Sequence, residues 1–233
     1  MKTIGLIGGM SWESSLEYYR ILNEETKKRL GETHSAKCLM YSFDFHEIEV
    51  LQRQGDWDEL TTRMVESALI LKHGGAECLV ICTNTMHKMA GVIKITTGLP
   101  VIHIADETGK VITKQGLKKI ALLGTKFTME GDFYSNKLKD YGIEVMIPNT
   151  SNKQIIHDII YNELILGVFK EESRQKYIEI IHQLKADGAE GVILGCTEIP
   201  LLIKASDVTI PVFDTTNIHA KGALDYAIDE VEI

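Results

Sequence analysis

Two short stretches of the sequence place a thiol or a hydroxyl directly after a run of apolar residues. The first, CLVICTNTMHK (residues 78–88), carries Cys82 and Thr83, and the second, GVILGCTEIP (residues 191–200), carries Cys196. Apolar runs of this length predict buried strands, and the ligands of α/β sheets bind at the carboxyl ends of such strands. The two strand ends are therefore candidate sites of chemistry, with either Cys82 or Thr83 as the reacting group of the first stretch.

An internal repeat favours Thr83 over Cys82. The segment GAECLVICTNT resembles GAEGVILGCTE, 113 residues further along, and two other pairs of segments match in the same order at offsets of 116 and 111 residues. The alternative is the general tendency of α/β proteins to repeat apolar strands followed by Gly or Pro. Alignment of the two Gly-Ala-Glu triplets places Thr83 opposite Cys196 and Cys82 opposite Gly195. Because successive residues of a strand point to opposite faces, Cys82 is predicted to be a small core residue.

The two equivalent positions suit proton transfer at the two sides of one carbon atom. Thr197 is predicted to cap a helix that has Pro200 in its first turn, so Cys196 would lie at a helix N-terminus. The positive end of the helix dipole is expected to lower the pKa of this thiol, and the free N–H groups there bind carboxylates. Two proton-handling groups, one from each half, predict racemisation or epimerisation by two bases.

Two other uses of the cysteines are disfavoured by their positions. Cys78 and Cys82 would share a strand face but lie roughly 13 Å apart, too far to bind one zinc ion. A thiol redox protein needs a resolving cysteine, and the repeat places none beside Cys196. We therefore expect no metal site, and we expect the four cysteines to be free thiols of a reducing, cytoplasmic compartment.

Strand and helix patterns alternate along the whole chain, because amphipathic stretches separate eight apolar, β-branched runs. This alternation predicts an α/β fold of two similar Rossmann-like lobes, each a parallel sheet flanked by helices, with the active site in the cleft between them. We expect residues 1–100 plus 210–233 to form the first lobe and residues 101–209 to form the second. The predicted strands are Thr3–Ile7, Lys37–Phe43, Glu77–Cys82, Pro100–Ile104, Lys119–Gly124, Ile143–Ile147, Glu190–Gly195 and Ile210–Phe213.

Composition and charge exclude several classes of partner. The chain has 233 residues, of which 44% are hydrophobic and 25% charged, and its formal net charge is −8. This acidic balance argues against a general nucleic-acid or anionic-membrane binder, but a small-molecule substrate can still bind at a local site. The N-terminal apolar run is too short for a signal peptide, and no apolar stretch approaches the length of a transmembrane helix.

Five segments resemble those of a known family: MKTIGLIGGM, CTNTMHK, HIAD, GVILGCTEIP and PVFDTTNIHA. Together they resemble the cofactor-independent aspartate/glutamate racemases over nearly the whole chain, to about Ala220. The family pattern in the first half is Cys-Asn-Thr-x-His, and here Thr83 stands in place of its cysteine. With a threonine at this position and a cysteine at position 196, the chain resembles a Thr/Cys subgroup of the family that acts on L-aspartate and L-glutamate. The resemblance implies two α/β lobes, no pyridoxal phosphate or metal, and a homodimer.

The resemblance also implies roles for individual residues. Cys196 would remove the α-proton of the L enantiomer, and Thr83, with bound water, would deliver a proton to the opposite face. A threonine hydroxyl is a very poor base, so turnover is expected to be biased from L to D, although the equilibrium constant is one. The resemblance adds Met10 and Gln52 to the predicted substrate-binding residues. Their positions at the two helix starts add Asn84, Thr85, Thr197 and Glu198.

Several alternatives remain open from the sequence. The same architecture suits a hydantoin racemase, a maleate isomerase or an arylmalonate decarboxylase, and the threonine at position 83 keeps a non-catalytic amino-acid-binding protein in consideration. The choice between aspartate and glutamate is also open. Gln52 could be a solvated surface residue, and His87 could either lie close behind the site or face solvent from a helix.

Overall fold

The computed structural model describes residues 1–228, so the end of the predicted first lobe, residues 229–233, lies outside the described residues. The chain separates into two compact units, one formed by Met1–Ile104 with the segment that begins at His219, and the other by Ala105–Ile218. Each unit contains a four-stranded parallel sheet flanked by helices, which makes the fold α/β with two Rossmann-like lobes.

Strands and helices alternate along the described part of the chain. Among residues 1–228, the strands are β1 (Ile4–Gly8), β2 (Cys38–Ser42), β3 (Cys78–Ile81), β4 (Val101–Ile102), β5 (Lys119–Gly124), β6 (Glu144–Met146), β7 (Gly191–Gly195) and β8 (Val212–Asp214). The α-helices are α1 (Trp12–Leu30), α2 (Phe45–Gln54), α3 (Trp57–His73), α4 (Ala90–Thr97), α5 (Ile104–Lys114), α6 (Lys126–Met129), α7 (Asp132–Lys139), α8 (Thr150–Asn162), α9 (Glu171–Ala186), α10 (Ile199–Leu202) and α11 (Thr215–Ile228). Short 3₁₀ helices cover Thr85–Met89, Leu164–Leu166 and Ala205–Asp207. All eight predicted strands are present, each within one or two residues of its predicted bounds.

The central strands are buried on both faces, as is usual when helices cover both sides of a parallel sheet. In the first unit, Ile7 of β1 packs with side chains of α2 and α3, whereas Leu6 packs with side chains of α1 and α11. In the second unit, Leu123 of β5 and Leu194 of β7 pack with side chains of α8 and α9. Within residues 1–228, no helix is both long enough and apolar enough to cross a membrane.

The two sheets have the same strand order and the same register. Their orders are β2-β1-β3-β4 and β6-β5-β7-β8, and all pairs of neighbours are parallel. Ile7 pairs with Ile81 in the first sheet, and Leu123 pairs with Leu194 in the second. The repeat offset of 116 residues relates Ile7 to Leu123, and the offset of 113 residues relates Ile81 to Leu194. Strand pairing therefore confirms the internal repeat found in the sequence.

Candidate active site

Thr83 and Cys196 occupy equivalent places in the two sheets. Thr83 lies two residues after Ile81, and Cys196 lies two residues after Leu194, which is the matching position in the second sheet. Both residues are partly exposed, whereas the residue before each is buried. Cys82 packs in the core, and burial raises the pKa of its thiol far above the usual range. The prediction that Cys82 is a core residue is confirmed.

The loop after β3 is buried on both sides of the partly exposed Thr83. Asn84 and Thr85, at the start of the following 3₁₀ helix, are both buried. His87 is buried as well, and its Nδ1 lies 2.8 Å from the carbonyl oxygen of Thr83. The backbone N–H of Ile104 donates to Nε2 of the same ring at 3.2 Å. The alternative that His87 faces solvent from a helix is therefore wrong, because its ring is buried and connects the loop to the start of α5.

Met10 and Gln52 lie beside the same loop. Gln52, in the last turn of α2, is only 6% exposed, and its side-chain N–H group donates to the sulfur of Met86 at 3.4 Å. Met10 is buried and belongs to the same core cluster as Met86. The alternative of a solvated surface glutamine is therefore wrong. Both predicted residues lie close to the segment that carries Thr83.

Small residues hold the turn between β1 and α1 close to this loop. The Ser14 hydroxyl donates to the carbonyl of Ser11 at 2.9 Å and lies 3.3 Å from the carbonyl of Cys82. Gly9 has a φ of +83°, and a Cβ there would lie 2.3 Å from the backbone N and O of Phe43. Only glycine fits this turn, since both its conformation and its surroundings exclude a side chain. Sequence reasoning missed Ser14, which joins two segments far apart in the chain.

In the second unit, Glu198 holds the side chains of the two residues before it. The Cys196 thiol donates to Oε2 of Glu198 at 2.9 Å, and the Thr197 hydroxyl donates to the same oxygen at 2.8 Å. Thr197 and Glu198 are buried, and Cys196 is partly exposed. The helix cap predicted at Thr197 is wrong by one residue: Glu198 is the cap position, and Pro200 lies in the first turn of α10 as predicted.

The pKa of Cys196 is raised well above its usual value, so the prediction of a lowered pKa is wrong for this structure. Burial is the largest cause, and the negative charge of Glu198 and the hydrogen bond that it accepts from the thiol act in the same direction. Backbone N–H groups of Thr197 and Glu198 lower the pKa, but by less. Because α10 has only four residues, its dipole is too small to reverse these effects.

Tyr177 is a neighbour of the thiol that sequence reasoning missed. It is fully buried in α9, and its hydroxyl donates to the carbonyl of Ile156 at 3.4 Å. Burial raises the pKa of Tyr177 well above its usual value, and the charges of Cys196 and Glu198 add to this effect. A tyrosine at an apolar helical position carries no signal of a thiol at the end of the next strand, so the sequence alone could not have identified Tyr177.

The predicted site residues fall into two sets, one at the carboxyl edge of each sheet. The cysteines are all free thiols. In the part of the chain that the structure describes, no group of three His, Cys, Asp or Glu side chains is arranged to hold a metal ion. The first set comprises Met10, Gln52, Thr83, Asn84 and Thr85, and the second comprises Cys196, Thr197 and Glu198.

Comparison with known proteins decides the family. The profile of the Asp/Glu/hydantoin racemase family matches residues 7–223, which is most of the chain. The chain belongs to this family. It is therefore an isomerase of the racemase class, and its two-lobe α/β fold is that of racemases.

Individual relatives agree with this racemase over nearly their full length. It is 24% identical over 230 residues to the broad specificity amino-acid racemase RacX of Bacillus subtilis (strain 168), with 95% of this chain and 96% of RacX covered. A solved structure of a proposed Asp/Glu racemase from Yersinia pestis is 52% identical, with a TM-score of 0.92 and with 98% of this chain and 100% of that chain covered. The structure of an aspartate racemase homologue from Pyrococcus horikoshii OT3 is 35% identical, with a TM-score of 0.84 and coverage of 97% and 99%.

Proposed function

We propose that this racemase inverts the α-carbon of acidic amino acids, L-aspartate and L-glutamate, without a cofactor. The observation that carries the proposal is the equivalence of Thr83 and Cys196 in two sheets of identical order and register. The substrate class is supported by two solved relatives, one described as a proposed Asp/Glu racemase and one as an aspartate racemase homologue. RacX is named for broad specificity, so a test of this proposal has to include other amino acids.

In the proposed reaction, Cys196 removes the α-proton of the L enantiomer. Its thiol first passes its proton to Glu198, whose Oε2 lies 2.9 Å from the sulfur. The thiolate then takes the α-proton: the C–H bond breaks, the S–H bond forms, and the electron pair is delocalised into the substrate's α-carboxylate. The raised pKa of Cys196 favours this second step, because a thiolate with a high pKa is a stronger base towards a weak carbon acid.

Thr83 completes the inversion on the opposite face of the carbon. Its hydroxyl donates a proton to the carbanion, which yields the D enantiomer, and recovers a proton from water. The hydroxide that is left takes the proton held by Glu198, which returns the enzyme to its starting state. The reverse reaction needs the hydroxyl as a base, and an alcohol is far weaker in this role than a thiolate. Because the equilibrium constant is one, kcat/KM must be equal in the two directions. The bias therefore lies in kcat at saturating substrate, and equal kcat values from L and D contradict this assignment of roles.

The remaining residues of the proposed site supply contacts for the charged and apolar parts of the substrate. Amide and hydroxyl groups donate hydrogen bonds to carboxylates, and backbone N–H groups at helix starts do the same. A methionine side chain adds a flexible apolar wall. We assign these contacts to Met10, Gln52, Asn84, Thr85, Thr197 and Glu198.

A chiral assay over a panel of L- and D-amino acids tests the proposal. Wild type is compared with Cys196→Ser, with Thr83→Cys, and with Cys82→Ala as a control on the adjacent buried thiol. We expect Cys196→Ser to lose about 100-fold or more of the activity, because a serine hydroxyl is a far weaker base. Thr83→Cys should gain kcat in the D-to-L direction, and Cys82→Ala should keep wild-type activity.

Deuterium incorporation distinguishes this function from the other candidates. In D₂O, a racemase incorporates deuterium at Cα of its substrate, whereas an amino-acid-binding protein, a maleate isomerase or an arylmalonate decarboxylase does not exchange Cα of aspartate or glutamate. The proposal is supported if wild type incorporates deuterium at Cα and Cys196→Ser does not. No incorporation by wild type, or undiminished incorporation in Cys196→Ser, contradicts it.

We also propose that the enzyme acts in the cytoplasm as a homodimer. The four free thiols fit a reducing compartment, and the dimer follows from the family resemblance. Cell fractionation tests the first statement, and sedimentation velocity tests the second. A monomer at assay concentrations contradicts the dimer without affecting the proposed reaction.

A further inference from the structure

A buried histidine lies directly behind the backbone of Thr83. His87 is 2% exposed, and its Nδ1 is 2.8 Å from the carbonyl oxygen of Thr83. The N–H group of Ile104 donates to Nε2 at 3.2 Å. A carbonyl oxygen only accepts and a backbone N–H only donates, so the proton of the neutral ring must be on Nδ1. Two backbone partners therefore fix both the tautomer and the orientation of this imidazole.

A second buried imidazole supports the first. His219 packs edge-on against His87, with the ring centroids 5.3 Å apart. Its Nε2 lies 2.7 Å from the carbonyl oxygen of Ile102, and its Nδ1 lies 2.7 Å from the Tyr18 hydroxyl. The same reasoning places the His219 proton on Nε2, so that Tyr18 donates to Nδ1. Burial lowers the pKa of both rings, for His219 to about 3, so both are neutral at neutral pH.

The two halves of the repeat support their strand ends in different ways. Glu198 binds the side chain of Cys196 directly, whereas the residue equivalent to Glu198 in the first half is Thr85, which has no carboxylate. The residue equivalent to His87 in the second half is Pro200, whose side chain cannot form a hydrogen bond. The second half therefore uses a carboxylate that acts on a side chain, and the first uses an imidazole that acts on the backbone.

We propose that His87 is a positioning residue that holds the Thr83 hydroxyl in place for proton delivery, through the hydrogen bond from Nδ1–H to the Thr83 carbonyl. This inference rests on the proposed function of Thr83. Proton transfer requires close placement of the donor, and a displacement of about 1 Å can reduce a rate about 100-fold. Without the Nδ1–H donor, the backbone at Thr83 is no longer held in one orientation. The loss slows proton transfer only at the substrate face to which Thr83 delivers a proton.

Isosteric variants separate the contributions of the two ring nitrogens. The side-chain nitrogen of asparagine takes the place of Nδ1, whereas the amide of glutamine reaches the place of Nε2. His87→Asn keeps a donor for the Thr83 carbonyl, His87→Gln keeps only a partner for Ile104, and His87→Leu keeps neither. We expect inversion of the L substrate to fall about 10- to 100-fold in the glutamine and leucine variants. His87→Asn should restore most of the rate, and the exposed His34→Gln is the control.

Deuterium exchange separates loss of positioning from general damage. In D₂O, exchange at Cα with retention of the L configuration uses Cys196 alone, whereas inversion uses both residues. Slower inversion in His87→Gln with unchanged exchange in the recovered L substrate supports the proposal. A parallel loss of both, or unchanged inversion in the glutamine and leucine variants, overturns it.

Two further measurements keep this test decisive. Thermal unfolding identifies a variant that does not fold, and if His87→Leu fails, the comparison of asparagine with glutamine is sufficient. If wild type exchanges too slowly with retention to be measured, the inversion rates of His87→Asn and His87→Gln decide. A faster asparagine variant supports the proposal, and equal rates overturn it. A wild-type protein that neither exchanges nor inverts any amino acid refutes the proposed function itself, and this result is separate from any effect of His87.

Discussion

Acid is expected to destabilise the first unit of the protein, because His219 is buried there in its neutral form. The pKa of His219 is lowered from 6.5 to about 3, mainly by burial and to a smaller extent by His87. The unfolded chain binds a proton at His219 below about pH 6.5, whereas the folded chain does not until about pH 3. The stabilisation is therefore fully present above the unfolded pKa, and it is lost as the pH falls through the window between the two values.

The size of the effect follows from linkage between protonation and folding. Between the two pKa values, each pH unit changes the free energy of unfolding by about 1.36 kcal/mol per proton. At about pH 4.5, the cost from His219 alone is roughly 2.7 kcal/mol relative to neutral pH. This is a large part of the total stability of a typical domain, which is about 5–15 kcal/mol. His87, whose pKa is also lowered, adds to the loss in the same direction.

Urea titrations followed by tryptophan fluorescence measure this effect in the relevant unit. The sequence contains two tryptophans, Trp12 and Trp57, and both lie in the first unit. Wild type and His219→Gln are compared from about pH 8 to about pH 4.5. The stability of wild type relative to the variant should fall by roughly 2.7 kcal/mol over this range. His87 titrates in both proteins and largely cancels. A difference that is independent of pH, or that grows in acid, refutes a neutral buried His219.

Two further predictions concern the turn after β1 and the reactivity of the thiol. Gly9→Ala should destabilise the protein by more than Gly55→Ala, because both positions have positive φ but only Gly9 faces Phe43 backbone atoms at 2.3 Å. Denaturation should give about 1–2 kcal/mol for Gly55→Ala and a clearly larger value for Gly9→Ala, and equal losses contradict the steric reasoning. Glu198→Gln should lower the pKa of Cys196, since it removes the negative charge beside the thiol. Alkylation of Cys196 near neutral pH, followed by mass spectrometry, should then be faster than in wild type, and an unchanged rate leaves burial as the only cause of the raised pKa.

The fold could be predicted from the sequence because its signals are local. Each strand is a short run of apolar, β-branched residues, and each run has the same character whatever surrounds it. One of the two errors of two residues, at the end of β4, has a simple cause. β4 stops at Ile102 and not at Ile104, because Ile104 already begins α5. Pro100 precedes the strand, but its carbonyl still accepts from the N–H of Leu79 at 2.9 Å.

The repeat also predicted that Thr83 and Cys196 follow matching strands, whereas the electrostatics and the supporting residues of the candidate site could not be predicted. Gln52 is buried and donates a hydrogen bond to the sulfur of Met86, and nothing in the sequence around Gln52 signals that contact. The tautomer of His87 depends on a backbone group at the start of α5. The pKa of Cys196 is a different case, because its main charged neighbour, Glu198, is only two residues away. That error came from giving the helix dipole more weight than the nearby carboxylate.

The two sheets have the same strand order and register but carry different side chains after their equivalent strands, β3 and β7. This difference favours different roles for the two halves in proton transfer. After its strand the second half offers a thiol, a hydroxyl and a carboxylate, and the first offers a hydroxyl, an amide and a hydroxyl. A weak carbon acid needs a strong base only on the face that loses the proton. The other face needs a donor held in the right place, and an alcohol is sufficient if its backbone is fixed. Such a pair is faster from L to D at saturating substrate. Equal kcat/KM values then require a lower KM for the D product than for the L substrate. More than half of the L substrate is converted only when a later step consumes the D enantiomer.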